Sequence, residues 1–131
     1  MLIRRLWPSL VWAVAILILT GLPGKYFPTV VSFWDWLSPD KVVHVFIFGV
    51  QTVLLLYAFR AQFFTRKLRW IYIVLILALT TLFALLTEIL QRYVFIGRHG
   101  NVYDFLADFI GVIVGFLAYY LLIIKKKGTG N

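Results

Sequence analysis

Residues 70–90 read WIYIVLILALTTLFALLTEIL, twenty-one positions without a charge until Glu88. The run is as long as the roughly 20 residues that a helix needs to cross the hydrocarbon core of a bilayer. Barrel strands are shorter and alternate in polarity, and this stretch does neither. Backbone groups facing lipid must be paired within their own segment, so the run reads as a transmembrane helix.

Three further apolar runs flank it, at about 6–22, 42–59 and 105–124. The first follows Arg4-Arg5 and ends in a Gly21-Leu22-Pro23-Gly24 breaker. It has the charge pattern of a signal peptide but no small-x-small cleavage site before Pro23, so it reads as a retained anchor. At 131 residues the chain forms one domain, 1–131. The expected fold is an all-α membrane protein, a small bundle of four transmembrane helices. Between the first and second helices, Val30, Val31, Phe33, Trp34, Trp36 and Leu37 make the connection too apolar for a solvated linker. A short interfacial helix or re-entrant turn is expected there.

Composition agrees. Hydrophobic residues are 63% of the chain, above the roughly 45–50% of soluble domains. The absence of cysteine removes disulfides, thiolate catalysis and cysteine metal sites together. A net charge of +8 would suit nucleic acid, but the cations sit at the ends of apolar runs, which is a topology signal. No nucleic-acid partner is expected.

The charges divide by side. Arg4, Arg5, Arg60, Arg66, Lys67, Arg69 and Lys125 to Lys127 share one face of the membrane with no acid. Lys25, Lys41, Arg92 and Arg98 share the other with Asp35, Asp40, Glu88, Asp104, Asp108 and both histidines, His44 and His99. The positive-inside rule puts both termini in the cytoplasm and the mixed-charge side outward. Trp7, Trp12, Trp34, Trp36, Trp70, Tyr26, Tyr72, Tyr93, Tyr103, Tyr119 and Tyr120 are read as an interfacial aromatic belt.

Ionisable groups at a membrane edge are costly and tend to serve function. Asp40 and His44 are four apart, one turn into the second helix. Ser38 or Asp40 is positioned to cap that helix. Glu88, Gln91 and Arg92 close the third. Asp104, Asp108, Gly111 and Gly115 share a face of the fourth. Gly111-x-x-x-Gly115 permits close helix approach, so both glycines are expected at a packed interface, with Asp108 turned inward.

Asp40-Lys41-x-x-His44, Glu88-x-x-Gln91, Gly97-Arg98 and Asp104-x-x-x-Asp108-x-x-Gly111-x-x-x-Gly115 together resemble the VanZ-like membrane protein family over residues 40–118. The chain departs from that pattern in having Phe95-Ile96 where a proline often precedes the loop arginine, and Asp108 where asparagine is common. The resemblance implies a multi-pass protein of the bacterial cytoplasmic membrane, whose namesake is associated with resistance to teicoplanin. Some relatives carry the label phosphotransbutyrylase, which nothing in these residues supports.

Arginine suits bidentate contact with phosphate, and lysine supplies a point charge. Asp40, Lys41, His44, Glu88, Gln91, Arg98, Asp104 and Asp108 are therefore the expected binding residues for a phospholipid head group or a lipid-linked cell-wall precursor. The alternative for Arg98 is a neutralising pair with Asp104 or Glu88. A second class of reading is an enzyme, a hydrolase or transferase acting on such a lipid. Glu88, His44, Asp104 and Asp108 are then the candidate general acids and bases, or oxygen and imidazole ligands for a divalent ion. Without HExxH, GxSxG or cysteine, no cofactor or metal is expected, and His44 reads first as a hydrogen-bond partner in helix packing. A proton or ion pathway ranks last, because Gln51 and Thr80 are the deepest strongly polar side chains and the inner halves of the helices carry no charge.

Overall fold

The computed structural model describes residues 2–23, 38–64, 67–97 and 100–124. These form α1 (Leu2–Gly21), α2 (Pro39–Ala58), α3 (Arg69–Tyr93) and α4 (Val102–Tyr119). A 3-10 turn, Gln62–Phe64, precedes α3, and a π-helical turn, Tyr120–Ile124, prolongs α4. No strand occurs among the described residues. Each of the four helices is long and apolar enough to cross a membrane. The interfacial segment expected before α2 lies outside the described residues.

Every helix starts three or four residues before its apolar run, or one in the case of α3. Hydropathy marks the greasy centre, whereas backbone hydrogen bonding continues into polar residues beyond it. Pro39 illustrates this at the first position of α2, where its missing N–H would have had no partner in any case.

The helices alternate in direction. Gln91 near the end of α3 donates from Nε2 to the Thr20 carbonyl at the end of α1, 3.1 Å away. At the opposite end, Leu6 of α1 packs against the cluster that contains Leu55, Phe63 and Tyr119. The start of α2 and the start of α4 therefore share an end with the finish of α1 and α3. Both ends of the described chain lie at the other end.

α2 is the most enclosed helix and α1 the least, with half of one and 11% of the other buried across their most apolar windows. Leu10, Val11, Val14 and Ile18 of α1 are each more than half exposed. This is a surface for lipid, not water.

The closest packing joins α2 to α4. A Cβ on Gly111 would strike the Val45 carbonyl, and one on Gly115 would strike the Gly49 carbonyl. In return, a Cβ on Gly49 would lie 3.3 Å from the Gly111 carbonyl. Lipid tails are as apolar as leucine, so helix association there depends on van der Waals contact, and small residues supply it. Polar side chains reinforce the seams. Gln51 Nε2 donates to Ser9 Oγ at 2.9 Å, joining α2 to α1. Thr52 and Thr80 instead satisfy their hydroxyls on carbonyls one turn back in their own helices.

Two aromatic expectations need correction. Trp12 sits in the middle of α1, not at an interface, and its Nε1 donates to the Ile47 carbonyl at 2.9 Å. Tyr119 is a core residue, 2% exposed and edge-on to Phe63. An aromatic ring anchors at the interface only when no neighbouring helix offers it contact, and here α2 and the Gln62–Phe64 turn do.

Candidate functional site

The shared end of the bundle gathers carboxylates from three helices. The spacing of four within α2 stacks His44 above Asp40, and the same spacing in α4 stacks Asp108 above Asp104. The glycine seam then presses these two faces together. His44 and Asp108 meet inside it, with Nδ1 2.7 Å from Oδ1. His44 is 2% exposed and Asp108 is fully buried. The other ring nitrogen of His44 faces the helix end, where Nε2 stands 3.9 Å from Asp40 Oδ2. That separation exceeds hydrogen-bond reach. One ligand atom each from Asp40, His44 and Asp104 falls within 4.8 Å of the others.

Glu88 joins from α3, within Coulombic reach of His44, Asp104 and Asp108. It is almost wholly buried. Its Oε1 lies against Gly100, where a Cβ would come within 2.9 Å of it. The Asn101 amide faces the same carboxyl, yet neither Glu88 oxygen closes a hydrogen bond of good geometry. Asp108 Oδ2 is likewise buried without a partner. In an apolar medium such oxygens cost kcal/mol quantities unless a partner compensates them.

Helix termini suit part of this charge. Asp40 and Asp104 lie in the first turns of α2 and α4, where the helix dipole favours anions. Asn101 caps α4, its side chain accepting from the Tyr103 N–H at 3.0 Å. Ser38 occupies the cap position of α2 but makes no cap bond. Its hydroxyl accepts instead from Lys41 Nζ at 3.2 Å. Asp40 turns toward His44 rather than back over the helix start. Local propensity offered the cap, and the cluster overrode it.

The other expected site residues divide. Lys41 stands at the edge of the cluster, its ammonium on Ser38. Gln91 is buried and ties α3 to α1. Arg98 and His99 lie outside the described residues. Sequence reasoning passed over Gly100 and Asn101, which wall in Glu88. An asparagine just ahead of an apolar run was the available signal for the second, since it is a favoured helix cap.

An apolar groove of about 520 Å³ runs between α3 and α4. Val74, Leu77, Leu85, Phe105, Phe109 and Ile113 line it. Phe105, the residue after Asp104, is where this lining comes nearest in sequence to the acids.

A family model described as VanZ/LLP1 matches residues 5–124, from the first turn of α1 to the end of the π-helical turn. The chain belongs to the VanZ/LLP1 family. Comparison with curated proteins and with solved structures returned no match. Every residue of the described cluster falls within the span that the VanZ/LLP1 model covers.

Proposed function

We propose that this VanZ/LLP1 protein recognises a phosphate-bearing lipid of the bacterial envelope, a phospholipid or a lipid-linked cell-wall precursor, at the polar end of its bundle. The observation that carries the reading is an amphiphile-shaped juxtaposition. A polar cluster stands at one end of four helices long enough to cross a membrane, and the lining of an apolar groove between α3 and α4 includes Phe105, the residue after Asp104. Lys41 supports it further, because its ammonium is bonded to a hydroxyl rather than spent on the acids. Arg98, in the connection before α4, is the second expected cation.

The protein is to be purified in a mild detergent and its retained lipids identified by native mass spectrometry. Lys41→Ala is expected to lose most of the bound phosphate-bearing lipid while its melting temperature stays near wild type. Wild-type retention in that variant would overturn the reading.

A second reading rests on the His44–Asp108 contact. A buried imidazole oriented by a carboxylate is the arrangement of a general base, and it would make the protein a hydrolase or transferase for the same lipid. Turnover of the retained lipid by wild type but not by His44→Gln distinguishes this from binding alone.

Orientation belongs to the same proposal. With the cations Arg4, Arg5, Arg60, Lys67 and Arg69 at the end opposite the acids, the positive-inside rule puts both termini in the cytoplasm. A reporter that matures only in the cytoplasm is expected to work at either terminus. Activity of a periplasm-dependent phosphatase fused to the C-terminus would reverse the assignment. It would also move the site to the wrong face for a lipid exported to the outer leaflet.

A further inference from the structure

We infer that Asp40, His44 and Asp104 form a site for one divalent transition-metal ion, with Asp108 as the positioning residue for the histidine. The argument begins with the imidazole. A metal-ligating histidine almost always donates its other ring N–H to a carboxylate or carbonyl, which fixes the tautomer and leaves the ligating nitrogen's lone pair free. His44 has this arrangement. Its Nδ1 is 2.7 Å from Asp108 Oδ1 inside the α2–α4 seam. Nε2 points to the open end of the cluster, 3.9 Å from Asp40 Oδ2, beyond hydrogen-bond reach of that carboxylate.

Around Nε2 the donors have the right spread. An ion at about 2.0–2.4 Å from each ligand holds neighbouring donors roughly 3–4.5 Å apart. The 3.9 Å between Nε2 and Asp40 Oδ2 lies within that range. The full set, within 4.8 Å, needs only a small side-chain adjustment to close. Asp40 has a third of its side chain exposed, which gives the ion an entry from the membrane surface.

Buried charge supplies the second, independent observation. Glu88 is 9% exposed and, although the Asn101 amide faces it, closes no hydrogen bond of good geometry, and the fully buried Asp108 has one oxygen unpartnered. Neither takes up a lysine or arginine among the described residues. A dication beside them offsets this negative charge in a way that a lone imidazole does not. The mixed donor set selects the ion. Two carboxylates and one imidazole suit Mn²⁺ or Zn²⁺, whereas an all-oxygen set would suit Mg²⁺ or Ca²⁺. Three protein ligands leave coordination positions open. If the head-group reading above holds, on which this last step rests, a phosphate oxygen occupies one of them. The metal also explains how an acid-rich cluster receives an anion.

The test uses the full chain in lipid nanodiscs, stripped with EDTA and titrated with Mn²⁺. One Mn²⁺ per chain is expected above the level of nanodiscs without protein, with pulsed paramagnetic resonance showing coupling to an imidazole nitrogen. His44→Gln should remove that coupling and Asp104→Asn should weaken uptake. Asp108→Asn should keep the coupling while weakening affinity by about 10–100-fold, the usual effect of losing such a partner. Zn²⁺ should displace the Mn²⁺. Melting of each variant in EDTA, beside wild type in EDTA, identifies any variant that merely unfolds, and the wild-type spectrum decides the matter without variants. No uptake above background, or bound Mn²⁺ without nitrogen coupling, overturns the site. Lipid analysis of the detergent-purified protein, with and without EDTA and before it enters nanodiscs, keeps the two readings apart. Phosphate-bearing lipid retained equally with and without EDTA, alongside failed Mn²⁺ uptake, removes the metal and leaves the head-group reading standing. Coordinated Mn²⁺ on a chain that retains no such lipid does the reverse.

Discussion

Gly115→Leu and Gly111→Leu are expected to prevent accumulation of the folded protein. At both positions the obstacle to a side chain is backbone, the Gly49 carbonyl in one case and the Val45 carbonyl in the other. A flexible side chain can rotate aside, but a carbonyl held in a helix moves only with the whole helix. Overpacking in an adaptable core costs about 1–3 kcal/mol, and these sites should reach or exceed the upper end. An alanine series provides an internal scale. Gly111→Ala and Gly115→Ala should both lower the melting temperature clearly, since the Cβ alone already collides. Gly49→Ala, with 3.3 Å to the nearest carbonyl, should cost less. Gly21→Ala meets only the edge of the Phe95 ring at 3.4 Å and should be close to neutral, because alanine is the better helix former by roughly 1 kcal/mol. Thermal melting in detergent ranks the four. Equal effects at Gly115 and Gly21 would mean that α4 does not press on α2 as described.

The bundle was legible because a bilayer leaves few choices. Long uncharged runs specify helices, and clustered cations specify which ends lie together. Asp40 with His44, and Asp104 with Asp108, could each be placed on one stripe of their own helix by helical period alone. Partner identity was not legible in the same way. Periodicity says which residues share a face but not which helix that face meets. Nothing in the run around Trp12 marks Ile47 of α2 as its acceptor, and nothing in α4 marks Tyr119 as core rather than belt. The local signal for a Ser38 cap was genuine chemistry, overridden because Lys41 claimed the hydroxyl. The two nitrogens of His44 were the least accessible detail. Their roles depend on Asp108, 64 positions away, and on a helix separation set by glycines that carry no chemistry themselves.

The pairing of His44 with Asp108 leads to the second large effect. Asp108→Ala is expected to destabilise the metal-free protein by about 3–5 kcal/mol, the cost of leaving a formerly paired charge buried alone. His44→Ala should cost a comparable amount by stranding the aspartate. The double variant should then be much less destabilised than the sum, because neither leftover charge remains. Hydrogen bonds between transmembrane helices average only about 0.6 kcal/mol in double-mutant cycles, so the magnitude is diagnostic. A coupling of several kcal/mol identifies an ion pair at the α2–α4 seam. A coupling near the average would identify a neutral hydrogen bond of the ordinary kind and remove the charge from the argument. Equilibrium unfolding of the four proteins in EDTA, under one lipid or detergent condition, measures the coupling directly. Asp108→Asn serves as the control, since it keeps the volume and a hydrogen-bonding group while deleting the charge. It should fall between wild type and Asp108→Ala if charge carries the pair, and it should match wild type if the hydrogen bond alone does. The same cycle repeated with Mn²⁺ present should show larger losses in each single variant, because His44→Ala would then lose a ligand and Asp108→Ala weaken metal binding, in addition to losing the pair. Identical values with and without the ion would place Asp108 in the fold alone.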